Sequence, residues 1–418
     1  RKTAREMAKH KPASFIHPGR HATWYGDDTQ RSRAIALLNG LLGSWGRKGG
    51  FYLPNSYSVP GYSNYPAYPK SKRPLVHNPG HKYPFAEGEQ LSTGIREATI
   101  NGKPYPIKGW FVYATNLLQA LPNKDETIAA IKNLDLMVVV DIVPSEIAGW
   151  ADVVLPEATY LERYDDLNNA PFKQNFVSLR QPVIDAPHDQ KPNWWIAKKL
   201  ADKLGVGNYF PWNHVEEYLD NRLKQAGLSL AELKKKGVVK GEKQPIYFKE
   251  GLEPIFFTPS GKIEFYSLQL QEHGFDPVPK YTDHGNPPPG HFRLLYGRSP
   301  VHTFSKTQSY KFLKDAMSEN EVWINQDVAT KLGLKTGQYV QLKNTDGKRS
   351  GKVKVRATER IRTDAVYMVH GFGQTSKDMK STYLKGGSDA ELVTKYNMDP
   401  IMGGTGMNVN YVTIDWEA

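Results

Sequence analysis

Three polar side chains adjoin apolar runs that predict β-strands. Asp141 follows the run 136–140, Asp152 begins the run 151–155, and Asn116 follows a third run. In a parallel sheet, ligands bind beyond the carboxyl ends of the strands, where Asn116 and Asp141 are expected. A carboxylate accepts hydrogen bonds from ligand N–H and O–H groups, whereas an amide both accepts and donates them. Asn116 and Asp141 therefore predict a ligand site at this edge of the sheet, and helix capping, a turn or pairing with a lysine are the alternatives for these residues.

A second set of polar residues lies in the segment 296–307. Small residues there permit a close backbone approach, and hydroxyl and cationic side chains suit phosphate groups and heterocycle edges. The candidate binding residues of this segment are Gly297, Arg298, Ser299, His302, Thr303 and Ser305.

The elements that must position these groups alternate between strands and helices. Candidate strands at 110–114, 136–140 and 151–155 flank a helix at 124–132. This alternation predicts a doubly wound α/β layer, and the continuous apolar run 136–140 is consistent with a sheet covered on both faces. Short strands and turns over 291–418 predict a small, mostly β barrel.

We therefore expect four segments along the chain. Residues 1–45 would be the tail of a preceding α/β domain, with a helix at about 30–42. Residues 46–237 would form an α/β domain with an irregular insertion at 51–105. A connector at 238–290 ends in a Pro-Pro-Pro-Gly hinge, and the barrel follows at 291–418.

Length and composition exclude several classes of protein. A chain of 418 residues is too long for one ordinary core. The 55 basic and 43 acidic residues give a net charge of +12, but they form no basic stripe, so nucleic-acid binding is not expected. No apolar run reaches the roughly 18 residues of a transmembrane helix. Cysteine is absent, which excludes disulfides and thiolate metal sites, and we assign no metal ligand in this chain.

Seven stretches, spread over nearly the whole chain, carry a family resemblance. They are HPGRHATWYGDDTQRSRA (17–34), ADVVLPEATYLER (151–163), YGRSPVHTFSKT (296–307), ENEVWIN (319–325), GLKTGQYVQL (333–342), VYMVHGFG (366–373) and DPIMGGTGMNVNYV (399–412). Together they resemble the large catalytic subunit of molybdopterin enzymes of the dimethyl-sulfoxide-reductase family. Within that family the sequence looks most like the polysulfide and thiosulfate reductases.

The resemblance implies a cofactor and places the chain within a longer subunit. The cofactor would be molybdenum held by two molybdopterin guanine dinucleotides. Residues 46–237 would bind guanine dinucleotide, and the C-terminal barrel, of a double-psi-like type, would bind pterin. The family's [4Fe–4S] cysteines and its metal-ligating residue have no counterpart here, so we expect them in an N-terminal part outside this sequence.

The resemblance also assigns roles to individual residues. Arg33 matches the family's pocket arginine beside the metal, where a guanidinium would orient an anionic substrate. A helix-surface arginine or an ion pair is the alternative. His17 and His21 are nearby candidates for proton donation. Asp141 and Asp152 would accept hydrogen bonds from guanine or ribose, and Asn116 would touch the nucleotide. The 296–307 loop would line a pterin, with His370, Asn397 and Asn408 as further cofactor contacts.

The function implied by the resemblance is reduction of polysulfide or thiosulfate. Electrons would come from a quinol pool through an iron–sulfur subunit and a membrane anchor subunit, at the outer, periplasmic face of the membrane. Arsenate or tetrathionate as substrate, and a non-catalytic structural subunit of a respiratory complex, are the alternatives.

Overall fold

The structure is a computed structural model that describes residues 1–19, 24–63, 65–67, 72–86, 91–252 and 254–416. The chain divides into two compact units. Unit 1 comprises Arg1–His17, Ala34–Lys72 and Leu155–Tyr266, and unit 2 comprises Pro18–Arg33, Arg73–Val154 and Ser267–Ala418. Each unit combines stretches that are distant in sequence, and the four segments expected from the sequence remain a prediction.

The helices of the described residues are short. They are α1 (Lys2–Lys9), α2 (Asp28–Leu41), α3 (Ser92–Asn101), α4 (Leu117–Ala120), α5 (Lys124–Lys132), α6 (Asn193–Lys203), α7 (Val215–Gln225), α8 (Leu230–Lys236), α9 (Leu268–Glu272), α10 (Lys311–Ala316) and α11 (Gln326–Lys331). Single 3-10 turns lie at Pro79–His81, Ala148–Trp150 and Gly207–Tyr209. None of the helices in the described part of the chain is long and apolar enough to cross a membrane.

The strands fall into a small sheet, a barrel and two ribbons. They are β1 (Gly109–Tyr113), β2 (Leu136–Asp141), β3 (Val153–Pro156), β4 (Phe176–Ser178), β5 (Val238–Lys240), β6 (Phe292–Gly297), β7 (Glu321–Asn325), β8 (Tyr339–Asn344), β9 (Arg349–Thr358), β10 (Ala365–Val369), β11 (Asn397–Met398), β12 (Thr405–Gly406) and β13 (Tyr411–Asp415).

Strands β1, β2 and β3 form a three-stranded sheet in that order. Strands β1 and β2 are parallel, as predicted, with Val112 opposite Val139, and both valines are buried. The prediction that both faces are covered is wrong for the described chain, because Phe111 is 52% exposed and Tyr113 is 40% exposed. A continuous apolar run specifies a strand, but it does not specify which face is packed.

The C-terminal strands close into a six-stranded barrel, in the order β10-β6-β13-β8-β9-β7. This confirms the predicted barrel. Its interior is filled by alternate side chains of the strands, including Leu294, Val322, Leu342, Val355 and Met368. Strand β7 was not predicted separately, although buried Val322 and Ile324 alternate with partly exposed neighbours, the pattern typical of a half-buried strand.

Unit 1 has a core of its own. Helices α7 and α8 contribute Leu219, Leu223 and Leu233, all fully buried, and the β4–β5 ribbon contributes Val177. The apolar residues of α7 and α8 recur at helical spacing, which explains why this helical pair packs on one side.

Helix α3 lies inside the segment 51–105 that the sequence predicted to be irregular. Its buried positions include Thr93, Arg96 and Thr99 as well as Ala98. The buried face is therefore partly polar, and the hydrophobic periodicity that reveals a helix is absent.

Candidate functional site

The carboxyl ends of two parallel strands of unit 2 bring two of the predicted cofactor-binding residues, Arg298 and His370, to the same edge. Strands β6 and β10 are parallel neighbours with Gly297 opposite Val369. The backbone N–H of His370 donates to the carbonyl oxygen of Gly297 at 2.8 Å. Arg298 and His370 therefore leave the barrel at the same edge, although 72 positions separate them along the chain.

A cleft of about 720 Å³, open to solvent, lies at this edge of the barrel. Its walls are largely aromatic and aliphatic. Trp24 stacks on Tyr296 with ring centroids 5.6 Å apart, and the guanidinium of Arg298 lies 4.1 Å from the centre of the Phe304 ring. Flat apolar walls with a cation at the margin suit a planar heterocycle that carries negative groups.

His370 is the second basic group of the cleft. Its Nδ1 lies 2.6 Å from Oδ2 of Asp389, a carboxylate that is 1% exposed. Burial lowers the pKa of His370, but the charge and hydrogen bond of Asp389 outweigh burial, so the pKa is raised above its ordinary value. The cleft therefore holds Arg298 and a histidine that keeps its positive charge to higher pH than usual. Sequence reasoning missed Asp389, which lies in no recognised motif.

The side chains of the 296–307 loop mainly hold the loop itself. Ser299 Oγ accepts hydrogen bonds from the backbone N–H groups of Val301 and His302 at 3.2 and 2.9 Å. The ring of His302, 2% exposed, contacts the carbonyl oxygen of Met317 at 2.8 Å and Thr307 Oγ1 at 3.2 Å. The cofactor roles predicted for these side chains remain predictions, and their observed contacts shape the loop that presents Arg298.

Two backbone contacts complete this loop's placement. The N–H of Thr303 donates to Thr307 Oγ1 at 2.9 Å, and the carbonyl oxygen of Ser305 accepts from Gln374 Nε2 at 3.0 Å. Gly371 has a φ of +95°, and a Cβ there would lie 2.2 Å from the carbonyl oxygen of Phe304. Only glycine permits this approach of the two loops.

A buried polar cluster includes the predicted residue Asn116. Glu146 is 6% exposed and accepts from Asn116 Nδ2 at 2.5 Å, from Gln119 Nε2 at 3.2 Å and from the N–H of Thr375 at 2.8 Å. Asn116 Oδ1 and Gln119 Oε1 are buried and have no hydrogen-bond partner in the described structure. Gln119 also lines the cleft. The unpartnered Oε1 of Gln119 beside the cleft fits a ligand that donates an N–H hydrogen bond.

Asp141 and Asp152 do not lie together. Asp141 is the last residue of β2 and accepts from the N–H of Ile142 at 2.7 Å and from Ser145 Oγ at 2.9 Å. Asp152 accepts from the N–H of Met137, near the start of β2, at 2.7 Å. Only Asp141 shares the carboxyl edge of the sheet with Asn116.

Arg33 lines a second cleft, of about 860 Å³, that shares no lining residue with the first. Its guanidinium donates to Gln30 Oε1 at 3.0 Å and to the carbonyl oxygen of Pro277 at 3.1 Å. The helix predicted to carry it is confirmed as α2. His17 is an exposed residue of unit 1, and His21 lies outside the described residues.

The two C-terminal asparagines lie in unit 2. Asn397 pairs with Gly406 across the β11–β12 ribbon. The backbone N–H of Asn408 donates to the carbonyl oxygen of Trp24 at 2.7 Å, which helps to place Trp24 in the cleft.

Comparisons with known proteins match most of the chain to two family models. Residues 3–203 match the molybdopterin oxidoreductase model, and residues 292–411 match the molydopterin dinucleotide binding domain. The second match contains Arg298, His370 and Asp389.

The chain belongs to the molybdopterin oxidoreductase family.

Relatives within the family differ in activity. The chain is 31% identical over 412 residues to the thiosulfate reductase molybdopterin-containing subunit of Salmonella typhimurium, covering 89% of this chain and 54% of that protein. It is 29% identical to the acetylene hydratase of Syntrophotalea acetylenica, covering 61% of this chain and 36% of that protein. The chain thus spans about half or less of the length of these relatives.

A solved structure supports the molybdopterin fold. Acetylene hydratase from Pelobacter acetylenicus matches with a TM-score of 0.75 and 21% identity, covering 99% of this chain and 62% of that one. At this identity the match concerns the fold alone.

The residues of the cleft fit the pterin dinucleotide that the family binds. Pterin offers ring N–H groups to buried acceptors such as Gln119 Oε1, and its phosphates and ring acceptors would meet Arg298 and His370. The aromatic wall of Trp24 and Tyr296 suits a flat ring. These residues would hold the cofactor, which supplies the two-electron chemistry when it is bound.

Proposed function

We propose that this chain is part of the catalytic subunit of a molybdenum oxidoreductase that reduces thiosulfate or polysulfide. The observation that carries the proposal is the 31% identity to the thiosulfate reductase subunit along 89% of the chain. The cofactor would be the bis(molybdopterin guanine dinucleotide) form, and the barrel a double-psi-like one. Asp141, at the carboxyl edge of the sheet beside Asn116, is the carboxylate that supports the guanine form.

The reaction is a two-electron cleavage of a sulfur–sulfur bond. Thiosulfate would take up two electrons and two protons, its sulfur–sulfur bond would break, and hydrogen sulfide and sulfite ions (HS⁻ and HSO₃⁻) would leave. The substrate is an anion, so a fixed cation in the pocket would orient it and stabilise the charge that develops. Arg33 supplies that cation, and its bonds to Gln30 and to the carbonyl of Pro277 fix the guanidinium in the second cleft.

The electron source belongs to the same proposal. Electrons would arrive from a quinol pool through an iron–sulfur subunit, held by a membrane anchor subunit at the outer, periplasmic face. A [4Fe–4S] cluster and the metal-ligating residue would lie in the N-terminal part of the longer subunit. The greater length of the relatives supports this arrangement.

A hydration reaction is the second candidate, because the chain also resembles an acetylene hydratase. The two reactions differ in their need for an electron donor. Reduction of each thiosulfate requires two electrons from a donor, whereas hydration of acetylene requires only water.

An assay of the full-length native protein separates these candidates. Oxidation of reduced viologen dye would be followed with thiosulfate, polysulfide, tetrathionate or arsenate, and acetaldehyde formation would be followed with acetylene. We expect dye oxidation with thiosulfate or polysulfide, with sulfide as a product. Acetaldehyde formation without dye oxidation would establish the hydratase, and no turnover of any substrate by cofactor-loaded protein would contradict the proposal.

A further inference from the structure

Asp389 is a rigidly held carboxylate directly behind the imidazole of His370. While Oδ2 faces Nδ1 of His370, Oδ1 accepts from the backbone N–H of Gly371 at 3.3 Å. The backbone carbonyl of Asp389 accepts from the N–H groups of Leu392 and Val393, at 2.9 and 3.1 Å, and both of these side chains belong to the barrel core. The carboxylate is therefore anchored to the barrel on one side and to the His370 loop on the other.

This anchoring determines which nitrogen of His370 carries the proton. A carboxylate only accepts hydrogen bonds, so Nδ1 must be the donor in the His370–Asp389 contact. The other nitrogen, Nε2, has no hydrogen-bond partner among the described residues, and His370 lines the cleft. Nε2 is then an acceptor while the ring is neutral and a donor while the ring is protonated.

The groups around His370 decide between these two states. Its ring centroid lies 5.9 Å from that of Tyr296 and 6.3 Å from that of Phe304, and neither ring carries a charge at neutral pH. The charged neighbours are Asp389, which favours the imidazolium, and Arg298, which opposes it. The hydrogen-bonded carboxylate outweighs the guanidinium, so the pKa of His370 is raised and the charged donor state persists to higher pH than in an ordinary histidine.

We propose that Asp389 is a positioning residue that makes Nε2–H of His370 a charged hydrogen-bond donor into the cleft. Its target is an acceptor atom of the bound pterin dinucleotide, a ring nitrogen, a ring oxygen or a phosphate oxygen. This inference rests on the proposed function for the identity of the ligand, but the control that Asp389 exerts on His370 is independent of it. The contact strengthens below the raised pKa of His370 and is lost as the pH rises through it.

The test uses four forms of the full-length protein. They are the wild type, Asp389→Asn, His370→Gln and, as a matched control, Asp378→Asn, whose side chain is exposed. Asparagine at position 389 can still accept from Nδ1 but carries no charge. Glutamine at position 370 keeps an N–H donor that does not titrate. Two quantities are measured between pH 5.5 and 9: the titration of His370 by NMR with labelled histidine, and the rate at which pterin dinucleotide leaves the protein.

We expect the wild type and Asp378→Asn to release the cofactor faster as the pH rises through the His370 titration. Asp389→Asn should titrate at lower pH and release the cofactor about tenfold faster at pH 7. His370→Gln should show no step in this range. A His370 titration and a release profile in Asp389→Asn that match the wild type would overturn the inference.

Failure of the proposed function can be distinguished from failure of the inference about Asp389. Wild-type protein that carries no pterin dinucleotide would contradict that function and the ligand assigned to His370. In the same sample, the NMR titration would still show whether Asp389 controls the charge of His370, because it needs no bound cofactor.

Discussion

Asp141 and Asp152 lie at opposite ends of strand β2. Asp141 is the last residue of the strand, at the end where Asn116 also lies, whereas Asp152 accepts from the N–H of Met137 near the strand's beginning. Ligands of parallel sheets bind at the carboxyl end, so the two carboxylates are not equivalent, although both adjoin apolar runs in the sequence.

The first prediction follows from this arrangement. Asp141→Asn should lower the guanine nucleotide content of the full-length protein several-fold, because the amide replaces one acceptor by a donor. Asp152→Asn should leave the nucleotide content unchanged and cost about 1 kcal/mol of unfolding free energy. Nucleotide chromatography and urea unfolding measure the two effects. Loss of nucleotide in Asp152→Asn alone would show that the sequence-based assignment of Asp152 to guanine is the correct one.

The second prediction concerns the buried carboxylate of Glu146. Glu146→Gln should destabilise the protein by about 2 kcal/mol, because the new amide group points an N–H at the donors of Asn116 or Thr375. The matched control is Glu97→Gln, an exposed position in α3. Urea unfolding at pH 7 measures both variants. Equal stability of the two variants would contradict the role of the Glu146 carboxylate as the acceptor that holds this cluster together.

The third prediction concerns the proposed substrate cation. Arg33→Gln should reduce kcat/KM for thiosulfate by about 10²-fold to 10³-fold, as expected when a group that stabilises developing charge is removed. The molybdenum and nucleotide content should stay at the wild-type level. Arg360→Lys, at an exposed position, serves as the control. A normal kcat/KM in Arg33→Gln would contradict this role and would show that Arg33 has only a structural role in its helix.

The fourth prediction is a pH dependence of stability. Burial, together with the nearby charge of Asp399, raises the pKa of Asp28 despite the hydrogen bonds it accepts from the backbone of Tyr25 and Trp24. The folded state therefore binds the Asp28 proton more tightly than the unfolded state does, and this residue's contribution to stability falls as the pH rises above the ordinary aspartate pKa.

Asp28→Asn tests this dependence, because its side-chain oxygen can still accept from the N–H of Tyr25. The variant should gain stability relative to the wild type at pH 7, and the gain should shrink towards pH 4. Thermal unfolding at the two pH values measures it. A gain that is the same at both pH values, or a loss at pH 7, would contradict the raised pKa.

The barrel and the parallel pair β1–β2 could be predicted because their signals are local. Strands β8 and β9 alternate buried and partly exposed side chains, and a turn at residues 344–347 joins them. Helix α3 could not be predicted in the same way. Arg96 is 1% exposed within it and donates to the carbonyl oxygen of Pro122, to Thr127 and to Glu126, partners that no periodicity reveals.

The candidate site was predictable only where its residues belong to a recognisable loop. Arg298 and His370 were found in this way, and the parallel pairing of β6 and β10 brings them together. Glu146 and Asp389 were not predicted as site residues, because only the fold brings their hydrogen-bond partners next to them. Glu146 accepts from the N–H of Thr375, 229 positions away, and a single sequence contains no signal for such a contact.

The content of molybdenum and guanine nucleotide in the full-length native protein tests the central claim most directly. Elemental analysis and chromatography after acid hydrolysis measure both in one preparation. The account predicts about one molybdenum and about two guanine nucleotides per subunit, as a bis(pterin guanine dinucleotide) cofactor requires. Undamaged native protein with neither metal nor nucleotide would contradict it and would support a structural subunit that keeps the fold without the chemistry.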